Sequence, residues 1–448
     1  MAKKITVAVI GCGDFACNFV PLFQAHPYVE KVYVCDIIPE RAREYSQRFG
    51  VEIIDTFENA IADSKITAVA IFTQRHLHGP LVKAALEAGK DVYSAVPMGV
   101  SVEECREIVE TVKKTGKTYM MGETCIYYPC SMYCKQRYEK GDFGTFVYAE
   151  AQYHHDISHF PKNFREDLVN AGVPPFYYPT HSTAMVLHAL STRATRVVAF
   201  GYAEAPGNGI YEKGVNQWDN VYSNGYSLMK LANGGTARIN ECRRIGYKAP
   251  SSYISAFYGT KGSYQFSNAQ HIFARLTPDG VDAVDVSSQV NPEAMEAHRG
   301  EKDFVNSVAN HRWQSADPSP VQKERNSLLP KSYAGLPNGH MASHKLLVDD
   351  FCTAAYFEKM PTVNAWLAAR YTVPGLLAHE SMIRDGQAFD VPDLATRRCE
   401  AENCAAVSAF RCGNPWETRR AAFERSLKNG RARKNPGCPR SPSYSDRS

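Results

Sequence analysis

The stretch Ile5–Asp36 constrains the fold of this chain more than any other. Ile5-Thr6-Val7-Ala8-Val9-Ile10 is a short, β-branched apolar run, the pattern of a parallel strand buried on both faces. Gly11-Cys12-Gly13-Asp14-Phe15-Ala16 follows without a gap and matches G-x-G-x-x-G/A, with alanine last. The first glycine permits a tight turn, the second lets backbone approach a pyrophosphate, and the small last residue lets helix and strand pack closely. A helix over about Phe15–Ala25 is predicted next, its N-terminal N–H groups aimed at that phosphate. Lys31-Val32-Tyr33-Val34-Cys35 reads as a second strand, and Asp36 stands at its C-terminal end. A carboxylate there suits the ribose hydroxyls of NAD and repels the additional phosphate of NADP. This order favours a dinucleotide site over a bare tight turn and makes Gly11, Cys12, Gly13, Asp14, Phe15 and Asp36 candidate NAD contacts.

The alternation continues through a helix near residues 40–50 and strands at Ala68–Phe72, Asp91–Ala95 and Thr118–Met121. Open α/β sheets bind ligands at the C-terminal ends of their strands. That places Thr73, His76 and His78, then Ala95-Val96-Pro97, and then Glu123 on the cofactor side, although Glu123 could equally cap the interdomain turn. Beyond residue 122 the texture changes. Thr145–Tyr153, Thr195–Gly201, Tyr222–Leu231, Thr236–Cys242, Tyr253–Tyr258 and Gly262–Ser267 alternate as a predominantly antiparallel sheet does, with Asn233-Gly234 as a hairpin signal. The expected fold is therefore α/β, with a Rossmann dinucleotide-binding domain over 1–122 and a second α/β domain over 123–395.

Residues 396–448 carry twelve Lys and Arg against five Asp and Glu, a net +7 that leaves −3 for the body of the chain. The tail reads as a disordered appendage, and the mildly acidic body offers no footprint for nucleic acid. No run approaches the roughly 18 apolar residues of a membrane span, and a strand starting at Ile5 leaves no room for a signal peptide. The 13 cysteines lack the spacing of a secreted scaffold, so reduced thiols and a cytoplasmic setting are expected. Cys125, Cys130 and Cys134, the run His154-His155-Asp156, and the pair His340 and His344 each fall short of a metal-site pattern, and no metal is expected.

The chain resembles the Gfo/Idh/MocA family (glucose–fructose oxidoreductase, inositol dehydrogenase and relatives) over about residues 3–395. The match rests on the Gly11/Gly13 turn, Asp36, the Thr73…His78 loop, Ala95-Val96-Pro97, Asn233-Gly234-Gly235-Thr236 and Gly259-Thr260-Lys261-Gly262. That resemblance implies a second domain with a large open sheet used in oligomer contacts, hence a homo-oligomer. It also implies a sugar or polyol bound between the domains. Ordinary dehydrogenases of the family carry Glu-Lys-Pro at Ala95-Val96-Pro97, and their lysine assists the reacting hydroxyl; Val96 can do nothing of the kind. The chain is similar in this to glycoside hydrolase family 109, the NAD-dependent glycosidases. Met120-Met121-Gly122-Glu123-Thr124-Cys125, Glu150-Ala151-Gln152-Tyr153-His154-His155-Asp156 and Tyr178-Pro179-Thr180-His181 resemble that family's phrases, while Ala95, Thr124 and Ser182-Thr183 depart from them.

The resemblance implies glycoside cleavage through transient oxidation at C3, elimination across C1–C2, water addition and re-reduction, with NAD recycled. Tyr153 is then the base at C2, His181 the group on the C3 hydroxyl, and Tyr178 the residue that holds the sugar; His155 and Asp156 orient Tyr153 or the water. Two other readings stay open: a sugar or polyol dehydrogenase in which His181 and Tyr153 stand in for the lysine, and an NAD-binding sensor without catalysis.

Overall fold

In the computed structural model, the described residues are 4–157, 165, 167–245, 254–266, 271–277, 280–290 and 318–395. The basic tail, His340's side chain and part of the loop after His154 lie outside them. The described residues form one compact unit built on two sheets.

The first sheet has six parallel strands, β1 (Ile5–Ile10), β2 (Val29–Cys35), β3 (Glu52–Ile53), β4 (Ala68–Ile71), β5 (Asp91–Ser94) and β6 (Tyr119–Met121), in the order 3-2-1-4-5-6. Every residue of β1 and β4 is buried, as runs of Val, Ile and Ala covered on both faces require. This is the doubly wound arrangement, whose strand order reverses between β1 and β4.

One expected helix is not continuous. Residues 16–18 form a 3-10 turn, and the α-helix α1 runs only over Val20–Ala25. Pro21 is the cause. It has no N–H for the Cys17 carbonyl and its ring would clash with that group, so the ladder restarts with proline in its first turn. The segment facing a phosphate is thus a tight turn rather than the end of a regular helix. The other early helices match expectation: α2 (Pro39–Phe49) ends on Gly50 in the left-handed region, and α3 (Val102–Thr115) starts where the Ser101 hydroxyl accepts the Glu104 N–H at 3.1 Å.

The second sheet has nine strands. β7 (Phe146–His154), β8 (Ala194–Ala203), β9 (Tyr222–Leu231), β10 (Thr236–Cys242), β11 (Ile254–Gly259), β12 (Gly262–Phe266), β13 (His271–Thr277), β14 (Gly280–Asp285) and β15 (Phe389–Asp390) lie in the order 14-13-12-11-7-10-9-8-15. All pairs are antiparallel except β7 with β10, which run parallel. The β9–β10 hairpin turns at Asn233-Gly234, where Gly234 has φ +90°. The inner face, carrying Ala149, Ala151, Ala237 and Ile239, packs under α4 (Thr180–Ala189), and β8 packs on α5 (Ala365–Ile383). Phe200, Tyr202, Tyr226 and Leu228 occupy the opposite phase of β8 and β9 and remain exposed.

Candidate functional site

The sequence-predicted cofactor residues gather along the C-terminal edge of the parallel sheet. Asp36 follows β2, Thr73 follows β4, Ala95-Val96-Pro97 follow β5 and Glu123 follows β6. Gly11 takes φ +96°, and a Cβ there would stand 2.7 Å from the Phe72 carbonyl oxygen, so only glycine lets β1 turn against the end of β4. Gly13 is different: a Cβ there would meet nothing within 4 Å, which leaves the room a pyrophosphate needs. Asp36 accepts the Cys12 N–H at 2.7 Å through Oδ2 and the Ile38 N–H at 2.8 Å through Oδ1, so it ties the turn to β2 and keeps lone pairs for ribose hydroxyls. These residues fit a dinucleotide.

Other predicted contacts serve the frame. Phe15 stacks edge-on against Phe19, Phe72 and His344. Asp14 is exposed, and its carbonyl accepts from Cys17 and Asn18. His78 is buried between the Pro97 carbonyl (2.8 Å) and the Thr73 carbonyl (3.1 Å), clamping together the loops after β5 and β4. Burial lowers its pKa, so the ring stays neutral and can donate to one of the two at a time. His76 meets the Trp218 ring edge-on. Ala95, Val96 and Pro97 are buried. Burial pushes the Cys12 and Cys35 thiols up to about 12, and among the described residues nine cysteines are free.

The predicted catalytic residues converge. Glu123 is fully buried, and its Oε1 accepts the Cys125 N–H at 2.9 Å and meets His181 Nδ1 at 2.7 Å. With Nδ1–H donated to the carboxylate, Nε2 is left to accept the Tyr178 hydroxyl at 3.0 Å. Glu123 therefore caps its turn and also fixes the histidine tautomer, a role neither sequence reading gave it. Burial alone would raise the Glu123 pKa, but pairing with His181 and the hydrogen bonds from His181 and the Cys125 N–H hold the carboxyl below its ordinary value. The stability this pair contributes is present above the ordinary glutamate range and is lost as pH falls through the lowered value.

Tyr153 closes the group, its ring centroid 5.0 Å from His181, 5.9 Å from Tyr178 and 5.0 Å from His155. Burial pushes its phenol well above the ordinary value, the neighbouring Tyr178 adds to this, and Arg243 opposes it. Asp156 does not join them. It accepts the Ile245 N–H at 2.9 Å and lines an open depression with Tyr202, Glu204 and Arg244.

Glu123, Cys125 and His181 place three donor atoms within 4.8 Å of one another, a set a metal could use. The 2.7 Å separation of Oε1 and Nδ1 is a hydrogen bond, whereas two ligands on one tetrahedral zinc stand about 3.3 Å apart. Cys125 also lies deep in the core. The geometry is that of a carboxylate–imidazole dyad.

Three residues escaped the sequence reading. Arg243, just past β10, lies with its guanidinium carbon 5.2 Å from the Tyr153 ring centroid and 5.4 Å from that of Tyr178. Arg75, inside the Thr73…His78 loop, lies 4.3 Å from the Tyr178 centroid on the same criterion. Glu241 pairs in register with Tyr153 across β10 and β7 and is fully buried. The available signal was an acid on the apolar phase of a strand, in the series Ala237, Ile239, Glu241.

Residues 5–123 match the Gfo/Idh/MocA model, described as an oxidoreductase family with an NAD-binding Rossmann fold. A glycosyl hydrolase family 109 protein of Saccharopolyspora erythraea is 22% identical over 421 residues, covering 88% of this chain and 84% of its own length. An alpha-N-acetylgalactosaminidase of Bacteroides fragilis is 29% identical over 165 residues, 34% of this chain and 38% of its own length. Among solved structures, levoglucosan dehydrogenase in complex with NADH and levoglucosan superposes with a TM-score of 0.67 at 20% identity, covering 87% of this chain and all of its own. No helix among the described residues is long and apolar enough to cross a membrane.

Proposed function

We propose that this chain, with the NAD-binding Rossmann fold of an oxidoreductase family at its N-terminus, is a sugar-active enzyme that cleaves glycosides without net redox change. The observation that carries the reading is the Glu123–His181–Tyr178 hydrogen-bonded chain beside Tyr153, in a protein whose strand-end tripeptide offers Val96 in place of an assisting lysine. Bound NAD supplies reversible acceptance of a hydride from sugar C3. His181, its Nδ1–H held by Glu123, takes the proton of the C3 hydroxyl at Nε2 and later returns it. Tyr178 donates to that same nitrogen in the resting site and passes to the sugar when the hydroxyl replaces it. Once C3 is a ketone the C2 proton is acidic, and Tyr153, as phenolate, receives it while the C1 substituent leaves; water then adds at C1 as Tyr153 returns a proton to C2, and reduction of the C3 ketone restores the hydroxyl. Arg243, over the Tyr153 ring, is the charge that opposes the upward push burial gives this phenol. The same relation of S. erythraea and B. fragilis proteins to this chain supports a glycoside as the substrate class.

The test is cleavage of aryl glycosides in D₂O by the purified protein. Deuterium at C2 of the released sugar, with no net NADH, is the expected outcome. Steady NADH formation from a free sugar, with no aglycone released, would replace this reading with the dehydrogenase, which the Glu123–His181 base and the levoglucosan dehydrogenase fold also suit.

The open sheet face supports a homo-oligomer. Phe200 is 58% exposed and pairs with Tyr226, while Leu228 beside them is 49% exposed, a contiguous apolar face of the kind that marks an association surface. Light scattering is expected to find at least a dimer, and the double change Phe200→Asp with Leu228→Asp is expected to yield a monomer that still binds NAD. A monomeric wild type removes this part of the proposal.

A further inference from the structure

Two cations beside Tyr178 have, among the described residues, no partner equal to their charge. Arg243 is 4% exposed, and neither of its terminal nitrogens has a hydrogen-bond partner among those residues. Its closest carboxylate oxygen, on Glu241, is 3.8 Å away, beyond hydrogen-bond reach, and both oxygens of Glu241 are likewise unpartnered. Arg75 meets the Asn170 side chain at a long 3.5 Å and the neutral Tyr178 side chain, and among the described residues no carboxylate pairs with it. Both guanidinium groups stand against the ring of the half-buried Tyr178, so two like charges converge on one side chain. Glu123 is already committed to His181.

Unpaired buried charge is costly, and two guanidinium groups side by side add repulsion to that cost. Glu241 does little to relieve it. Burial favours its neutral form and the Glu123 charge adds to that, outweighing Arg243 and the Ser182 hydroxyl, which oppose. The arrangement becomes favourable when an anion reaches these guanidinium groups, because they bind carboxylate, sulfate and phosphate oxygens with paired N–H donors.

We propose that this site takes a sugar bearing an anionic ring substituent, held by Arg243 and Arg75 beside Tyr178. The proposal rests on the sugar-site reading above and narrows its substrate class. The pyrophosphate of NAD is not the intended anion, since its cradle lies at the Gly11–Gly13 turn.

The experiment is calorimetric titration of NAD-loaded protein with D-glucose, D-glucuronate, D-glucose 6-sulfate and D-glucose 6-phosphate, and with the matching galactose series. At least one anionic sugar is expected to bind tenfold or more tightly than its neutral parent, and the arms identify the group. Arg243→Gln is expected to bring the ratio within about threefold while the Kd for NAD stays within twofold; Arg75→Gln is expected to weaken it less, and rising NaCl is expected to shrink it. Neutral sugars binding as tightly as charged ones, or a preference that persists in Arg243→Gln, overturns the proposal and leaves the sugar site standing. Binding of no sugar in any arm overturns both.

Discussion

His181→Ala is expected to lower kcat for any glycoside the protein cleaves by about 10²–10⁴, the usual contribution of a positioned acid–base group, while the Kd for NAD stays within twofold. The size follows from how completely the histidine is committed. Its Nδ1 is bound to a buried carboxylate at 2.7 Å and its Nε2 faces the Tyr178 hydroxyl at 3.0 Å, so no other described side chain can take the proton at that point. Glu123→Gln separates the two functions of the dyad. The amide can still hold the ring, either as acceptor from Nδ1 or as donor to it, but it cannot stabilise the imidazolium that forms as the hydroxyl ionises. Its kcat should therefore fall less than that of His181→Ala. Stopped assays of aglycone release, paired with fluorescence titration of NAD, separate chemistry from cofactor loss. Full activity in His181→Ala would remove the dyad from the mechanism.

What could be read from residues alone divides by range. The Rossmann half is local: strand, glycine turn and acid sit within 36 residues, and each element carries its own period or punctuation. The break in the first helix was local too, since Pro21 is plain in the sequence, but the glycine pattern outweighed it. The catalytic cluster is not local. Glu123, Tyr153 and His181 come from the end of β6, the end of β7 and the start of α4; Glu123 was marked by its place at a strand end, whereas only family phrases marked Tyr153 and His181 in advance. Arg243 and Glu241 were hidden for a further reason. Their meaning depends on the parallel pairing of β10 with β7, which sets Glu241 beside Tyr153, and strand pairing across about 90 residues leaves no periodicity to read. Asp156 shows the converse: it follows His155 closely in sequence, yet its carboxylate is spent on the Ile245 N–H and its side chain lines a different depression.

Gly11→Ala and Gly13→Ala are expected to fail in different ways, although both sit in one motif. At Gly11 the new methyl would stand 2.7 Å from the Phe72 carbonyl oxygen and 3.2 Å from the Thr73 N, on a backbone at φ +96° that alanine rarely adopts. Strain of about 1–3 kcal/mol from the backbone adds to the cost of pushing β4 away. The substitution should thus lower the melting temperature of the cofactor-free protein by several degrees, about 5 °C or more, and lose NAD with it. At Gly13 the methyl meets no atom within 4 Å and φ is not positive, so the cofactor-free protein should melt within about 1 °C of wild type. The same methyl would occupy the space in which a pyrophosphate approaches the backbone, so NAD affinity should fall at least tenfold. Thermal melts with and without NAD read both effects in one experiment: wild type shifts upward on adding the cofactor, whereas Gly13→Ala starts at the same temperature and scarcely moves. A Gly13→Ala protein that gains the full NAD-dependent shift would show that the pyrophosphate does not lie over this turn.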